Sequence, residues 1–303
     1  MNLILLLFPV SIIIILLFYY ILYRYFYNMY GAILCFLSIM KYISIAPIVT
    51  WINDIIYEWW KDDFVRIKQN IRDTFIVKGN MTNTKQAIYL LHPHGICSLT
   101  HVFHINTEIT NWPYQNIYCV MSHLIAYIPF INDLVNRHER VISSRYSTIK
   151  STLLEKKSIS MCLGNFTEGK YDDEHRISVI VKKRNGIFKI AIETGVPIIP
   201  VLSYGEQSVF TQYHLFIINM IYYLTGIQIN YPTFSSIADW LDIYSKPLDK
   251  KIITYIGDPI EVGEARTPTS SDIHDLRNKY MEALRTLYRT TKPDDYEDEI
   301  VFV

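Results

Sequence analysis

The sequence predicts an α/β domain, one sheet covered by helices, carried behind a membrane-embedded helical anchor at the N-terminus. Three observations lead there. Residues 3–23, LILLLFPVSIIIILLFYYILY, hold no charged side chain and match the ~20 residues that cross a ~30 Å hydrocarbon layer. From about residue 85 short apolar runs alternate with stretches of helical periodicity, as strands interleaved with covering helices do. Near the C-terminus Pro268 and Thr269 precede Asp272 in the manner of a helix start.

Taken in order, residues 1–52 form the anchor and 53–303 the α/β domain. A cleaved signal peptide is the rival for the first run, but no basic segment precedes it and no small-residue cleavage site follows. A second apolar run, GAILCFLSIM at 31–40, ends at Lys41, so the anchor is one span or a helical hairpin. Arg24 and Lys41 do not fix its orientation. After Pro47, the residues Ile48, Trp51, Ile52, Ile55, Ile56 and Trp59 recur at helical spacing opposite Asn53, Asp54 and Glu58. That is a helix lying at the membrane interface or an ordinary core-facing helix. Strands are expected at 87–91, 158–163, 177–181, 196–204 and 252–257, and helices at 147–156 and 272–289. The nearly uncharged stretch 214–229 is short for a span and reads as a membrane-dipping or substrate-facing segment, with a buried helix as the alternative. The closing KPDDYEDEIVFV reads as a solvated acidic tail.

Composition narrows the function classes. Twenty-nine Lys and Arg balance twenty-nine Asp and Glu, so no global positive field gathers nucleic acid. Cys35, Cys97, Cys119 and Cys162 are far apart and never in CxxC spacing, which fits reduced thiols rather than a disulfide framework. No G-x-S-x-G elbow is present, so a serine-hydrolase route has no support.

The strand 87–91 runs into His92, Pro93, His94 and Gly95, with His101 and His104 following. Proline removes a ladder donor and glycine frees the backbone, so the strand ends in a sharp turn. Side chains at the C-terminal end of a strand are well placed for chemistry in an open α/β sheet. Three readings compete. His92 and His94 could share a metal with Cys97, His101 or His104, although the spacing matches no established zinc pattern. They could be satisfied core histidines, as suits the isolated His101, His104 and His123. One of them could be a general base.

Three ordered blocks bear on the choice. The first is Leu91-His92-Pro93-His94-Gly95. The second runs from Arg184-Asn185-Gly186-Ile187-Phe188-Lys189-Ile190-Ala191 through Gly195 and Pro200 to Ser203-Tyr204-Gly205-Glu206. The third is Ile256-Gly257-Asp258-Pro259-Ile260, then Pro268-Thr269 and Tyr280-Met281-Glu282-Ala283-Leu284. In order and spacing they resemble the signature segments of the diacylglycerol acyltransferase 2 family, which includes monoacylglycerol acyltransferases and wax synthases. The likeness covers about residues 55–290. The chain departs from the family where Asp63-Phe64-Val65 stands in place of its Tyr-Phe-Pro element, and where Gly164-Asn165 stands for its Gly-Gly. Related lysophosphatidate enzymes place Asp five residues after the histidine, where this chain has Leu99.

The resemblance implies an acyltransferase-type mixed sheet and a membrane enzyme that moves an acyl group from acyl-CoA to a lipid hydroxyl. Diacylglycerol is the first acceptor to expect, with monoacylglycerol or a fatty alcohol as alternatives. His94 is then the base, His92 shapes the turn or polarises the thioester, and Glu168 holds the imidazole. Pro93, Gly95, Gly164, Asn165, Arg184, Gly186, Phe188 and Lys189 are the expected substrate-binding positions. Lys182, Lys183, Arg184 and Lys189 make a basic cluster suited to the phosphates of coenzyme A. Acyl-CoA enters as co-substrate, with no cofactor and no metal. The endoplasmic reticulum, with a cytosol-facing catalytic domain, is the expected location, and a homo-oligomer is compatible with it. A membrane-anchored metal hydrolase and a non-catalytic lipid-binding protein are the readings from other classes.

Overall fold

The computed structural model describes residues 69–79, 86–95, 98–101, 117–121, 140–164, 168, 175–209, 246–297 and 299–303. The expected anchor, the interfacial helix and the 214–229 segment lie outside these residues. Among the described residues no helix is long and apolar enough to cross a membrane.

Seven strands make one sheet: β1 (Phe75–Gly79), β2 (Ile88–His92), β3 (Ile117–Met121), β4 (Val141–Ser143), β5 (Ser158–Met161), β7 (Ile198–Tyr204) and β8 (Ile252–Ile256). Their order is β1-β8-β7-β2-β5-β3-β4, parallel throughout except for the antiparallel β7·β8 pair. The fold is thus α/β with a mixed, mostly parallel sheet. Between β5 and β7 lies β6 (Ser178–Val179), which pairs with β9 (Val301–Phe302) in a separate two-stranded sheet. Helices among the described residues include α1 (Tyr146–Leu154), α2 (Gly186–Thr194) and α3 (Ser270–Thr291).

β2 is central, flanked in parallel by β5 and β7. All five of its residues are buried, which explains why it reads as a continuous apolar run and not as an alternation. Its side chains still alternate between two cores. Ile88 and Leu90 join Ile149 and Leu153 of α1, Phe188 of α2, and Tyr280 and Leu284 of α3. Ala87, Tyr89 and Leu91 face the other way, with Ile199, Val201 and Ile256. His92 has the parity of Ile88 and Leu90, so alternation delivers its ring to the helical side.

α3 starts as a reciprocal capping box. The Thr269 hydroxyl accepts from Asp272 N at 3.2 Å and the Asp272 carboxylate accepts from Thr269 N at 2.7 Å, satisfying two donors left over at a helix start. The Thr269 hydroxyl and N–H, with Arg266, hold the Asp272 carboxyl down at about 2. Leu276, Tyr280, Leu284 and Tyr288 recur every fourth residue and are the buried stripe of α3.

The acidic C-terminal segment corrects the expectation of a solvated tail. Tyr296, Ile300 and Phe302 are buried, and the chain from residue 297 onward bonds along 175–182, as in Glu297 N to His175 O at 2.9 Å and Val303 N to Val179 O at 2.9 Å. Tyr296 and Ile300 flank the acidic run 297–299 and Phe302 follows it, so net charge hid a strand. The run 177–181 likewise makes β6 outside the main sheet. Tyr296 packs edge-on to Tyr204 at 5.3 Å between centroids, and its hydroxyl accepts from Gly205 N at 3.2 Å. Tyr296→Ala is expected to lower unfolding stability by roughly 3 kcal/mol, checked by denaturant unfolding of the solubilised protein.

Candidate active site

β2 stops at His92 because Pro93 follows, and the chain turns at Gly95 with φ +58, a left-handed conformation that glycine adopts without strain. The turn sets two histidines in different roles. His92 is fully buried, whereas His94 is 8% exposed, so only His94 has a route to a ligand.

His94 Nδ1 lies 2.8 Å from Gly95 O. A carbonyl can only accept, so the proton sits on Nδ1 and Nε2 keeps its lone pair. Burial lowers the His94 pKa below 6.5, more than the Gly95 carbonyl and the Glu168 charge raise it. The ring is therefore neutral at physiological pH, with an unprotonated Nε2, as a general base requires.

Glu168 is 2% exposed. One carboxylate oxygen accepts from the backbone N–H of His94 at 2.8 Å and the other from Ile180 N at 2.8 Å. The second oxygen also stands 3.7 Å from His92 Nδ1, beyond hydrogen-bond length. The carboxylate therefore fixes the main chain of His94 and faces the ring of His92, in place of the expected grip on the His94 imidazole. Gly164 makes room for it: a Cβ there would fall 1.8 Å from the Glu168 carboxyl carbon.

On its other side His92 Nε2 lies 2.8 Å from the Tyr280 hydroxyl. The Glu168 charge beside Nδ1 favours the His92 proton there, so Nε2 accepts from the Tyr280 O–H, which burial and the same charge keep on the phenol. Tyr280 in turn packs on Phe188 at 5.6 Å between ring centroids. The three sequence blocks thus meet around one histidine, although they are up to 188 residues apart. Tyr280→Phe removes the donor to a buried acceptor and should cost about 1–3 kcal/mol in stability, read from a denaturant titration against wild type.

Of the expected site residues, His92, Pro93, His94, Gly95, Gly164 and Glu168 converge here, and Phe188 supports them through Tyr280. Asn165 and Cys97 lie outside the described residues. Gly186 opens α2 with nothing within 4 Å of a Cβ position. Lys189 points to α1, 3.7 Å from Glu193 and over the Tyr146 ring at 5.6 Å, so its recorded contacts are away from His94. Arg184 is half-buried just before α2, and its buried Nε has no hydrogen-bond partner among the described residues. Beside it Lys182 and Lys183 are exposed, and Arg277 holds the turn by donating to Lys182 O at 2.5 Å and Asn185 Oδ1 at 2.7 Å. Arg277, Tyr280 as a partner of His92, and the surroundings of Glu206 were not assigned a role from the sequence. The third block contained Tyr280, and only strand parity could have pointed it at His92.

His101 is buried in the core, 3.1 Å from Ser160 Oγ and 3.2 Å from Cys119 Sγ, and burial brings its pKa down to about 4. Burial also pushes the Cys119 and Cys162 thiols up, so they stay unionised and poorly nucleophilic. Among the described residues no group of three His, Cys, Asp or Glu could hold a metal ion.

Comparison with known proteins bears on this geometry. The family model for diacylglycerol acyltransferase matches residues 49–299. Diacylglycerol O-acyltransferase 2 of Dictyostelium discoideum is 26% identical over 255 residues, 78% of this chain and 73% of that protein. Human acyl-CoA wax alcohol acyltransferase 2 is 25% identical over 246 residues, 74% of this chain and 72% of the relative. Human diacylglycerol O-acyltransferase 2 is 25% identical over 240 residues, 69% of this chain and 57% of the relative. The 1-acyl-sn-glycerophosphate acyltransferase structure from Thermotoga maritima aligns with TM-score 0.45 and 12% identity, over 93% of this chain and 97% of that one. With the family model spanning most of its length, and with all three signature blocks packed around His92, the chain belongs to the diacylglycerol acyltransferase family and is an acyltransferase.

Proposed function

We propose that the enzyme transfers a fatty acyl group from acyl-CoA to the free hydroxyl of diacylglycerol, forming triacylglycerol, with His94 as the general base. One observation carries the chemistry: the Gly95 carbonyl holds the proton on Nδ1 of a buried, neutral His94, leaving Nε2 to act. In the reaction Nε2 takes the hydroxyl proton as the alcohol oxygen attacks the thioester carbonyl. The tetrahedral oxyanion collapses, the C–S bond breaks, and the imidazolium returns the proton to the departing thiolate of coenzyme A. Backbone N–H groups at the Gly95 turn are the candidate donors to the oxyanion.

Glu168 supports this by fixing the His94 main chain, and His92 with Tyr280 supports Glu168. His92 is too buried to polarise the thioester, so it acts on the turn. Arg184, whose buried Nε has no hydrogen-bond partner among the described residues, and the exposed Lys182 and Lys183 suit the phosphates of coenzyme A. Lys189 has the weaker case of the two motif cations. Pro93, Gly95, Gly164 and Phe188 set the shape of the site, and Asn165 and Gly186 are retained as substrate-binding positions on the family resemblance alone. The apolar N-terminal run 3–23 supports a membrane enzyme, placed in the endoplasmic reticulum with its catalytic domain toward the cytosol.

Membranes from cells that lack their own such enzymes, given labelled acyl-CoA and each acceptor in turn, test the reading. Label in triacylglycerol is the expected result. Label only in diacylglycerol or wax ester overturns the acceptor assignment, and no labelled ester with any acceptor overturns the reaction.

A further inference from the structure

A second carboxylate lies against Gly95 and the helical turn that starts at Leu99. Glu206, at the end of the second sequence block, is 3% exposed, and among the described residues no Lys or Arg pairs with it. One oxygen accepts from Leu99 N at 2.5 Å, and the other from Thr100 Oγ1 at 2.5 Å and Thr100 N at 3.4 Å. The same side chain lies against Gly95, where a Cβ would come within 3.2 Å of Glu206 Oε1. It therefore touches both ends of the stretch that follows His94. Within that stretch Ser98 is held at φ +50, a left-handed conformation that a serine keeps only when its surroundings impose it.

We propose that Glu206 is a positioning residue for acyl transfer: by accepting the Leu99 and Thr100 donors while lying against Gly95, its carboxylate fixes where this helical turn sits relative to the turn that presents the base. The proposal rests on His94 acting as that base. Glu168 takes the N–H of His94 and Glu206 takes the N–H groups of Leu99 and Thr100, so two carboxylates bracket one catalytic turn. A buried charge is an expensive way to hold these groups, and its neutral form is the weaker clamp. All three partners are donors, so a proton on the carboxyl meets an N–H, or forces the Thr100 hydroxyl to reverse and stop donating.

The bracket is thereby proton-linked. Burial pushes Glu206 up to about 7, against the lowering by the Thr100 hydroxyl and by the N–H groups of Leu99 and Thr100. Facing it are Cys162 after β5, whose thiol stays unionised, and beyond the turn His94, which is neutral, and Glu168. The sign for stability is opposite to that for activity. With a folded value of about 7 above the usual 4.5, the Glu206 contribution to stability falls as pH rises through that window, while the working clamp forms above it.

The test is the pH dependence of turnover for full-length protein in membranes. Wild type should lose activity with an acid midpoint near the Glu206 value of about 7, not below 6.5 where His94 alone would place it. Thr100→Val deletes the strongest lowering partner and should move that midpoint upward. Glu206→Gln should cut kcat by roughly 10-fold or more with KM for acyl-CoA little changed, and its remaining activity should have an acid midpoint below 6.5. A midpoint unmoved in both variants, or wild-type kcat with Glu206→Gln, overturns the proposal. If Glu206→Gln does not accumulate, Thr100→Val decides alone. His94→Ala separates the two readings: wild-type turnover with it overturns the base, whereas loss of turnover with it and unmoved midpoints elsewhere overturns only the role of Glu206.

Discussion

His94→Ala should lower the acyl-transfer rate by ~10²–10⁴-fold, the range that a positioned general base supplies, with the protein still accumulating in membranes. The loss belongs in kcat, because Nε2 acts on the hydroxyl proton only as attack proceeds. A near-isosteric His94→Gln should be as slow, since an amide has no basic nitrogen to offer. His94 lies in the turn two residues beyond the end of β2, so replacing it leaves the packing of the strand itself in place. Immunoblot and rate measured on the same membranes separate lost chemistry from lost protein.

Glu168→Gln is expected to be damaging as well, though less so, despite its matched shape. Both carboxylate oxygens of Glu168 receive a backbone N–H, from His94 and from Ile180. An amide has one oxygen and one NH₂, so whichever way it is placed a donor meets a donor. A buried donor left unsatisfied costs about 1–3 kcal/mol, which corresponds to roughly 5- to 150-fold if it falls on the geometry of the base. Glu168→Asp keeps two acceptors on a shorter arm and should retain more activity than Glu168→Gln. Assays of both at equal protein check the order. If Glu168→Gln kept wild-type turnover, the carboxylate would not be what holds the turn.

The parts of this site that were legible in the sequence were those tied to a local rule. The end of β2 was visible because His-Pro-His-Gly interrupts an apolar run, whereas the side of the sheet that His92 faces follows from the parity it shares with Ile88 and Leu90 in the folded strand. The start of α3 was visible because Thr269 and Asp272 have capping spacing. The strands at 75–79, 117–121 and 141–143 were missed. They are short, and Lys78, Tyr118 and Ser143 break up their apolar character, so the pairing that makes them strands comes from distant partners. β9 was hidden for a related reason, since Val301 and Phe302 follow a dense acidic run. Glu168 was found as a residue but its partner was not: spacing gives no direction to a carboxylate, and only folding shows that it takes a backbone N–H and faces His92 instead of the His94 ring. Glu206 stood in a matched block, yet nothing local says that a carboxylate there will be buried against a helical turn 107 residues earlier.

On the proposed account the second and third sequence blocks serve the histidine turn through packing, Phe188 and Tyr280 behind it and Glu206 beneath it. The most direct measurement of that account is the coupled release of coenzyme A and formation of ester by the solubilised enzyme, followed together with labelled acyl-CoA and diacylglycerol. The account predicts one free coenzyme A thiol for each triacylglycerol formed, with both lost together in His94→Ala. Coenzyme A release and ester formation at undiminished rates in His94→Ala would contradict it.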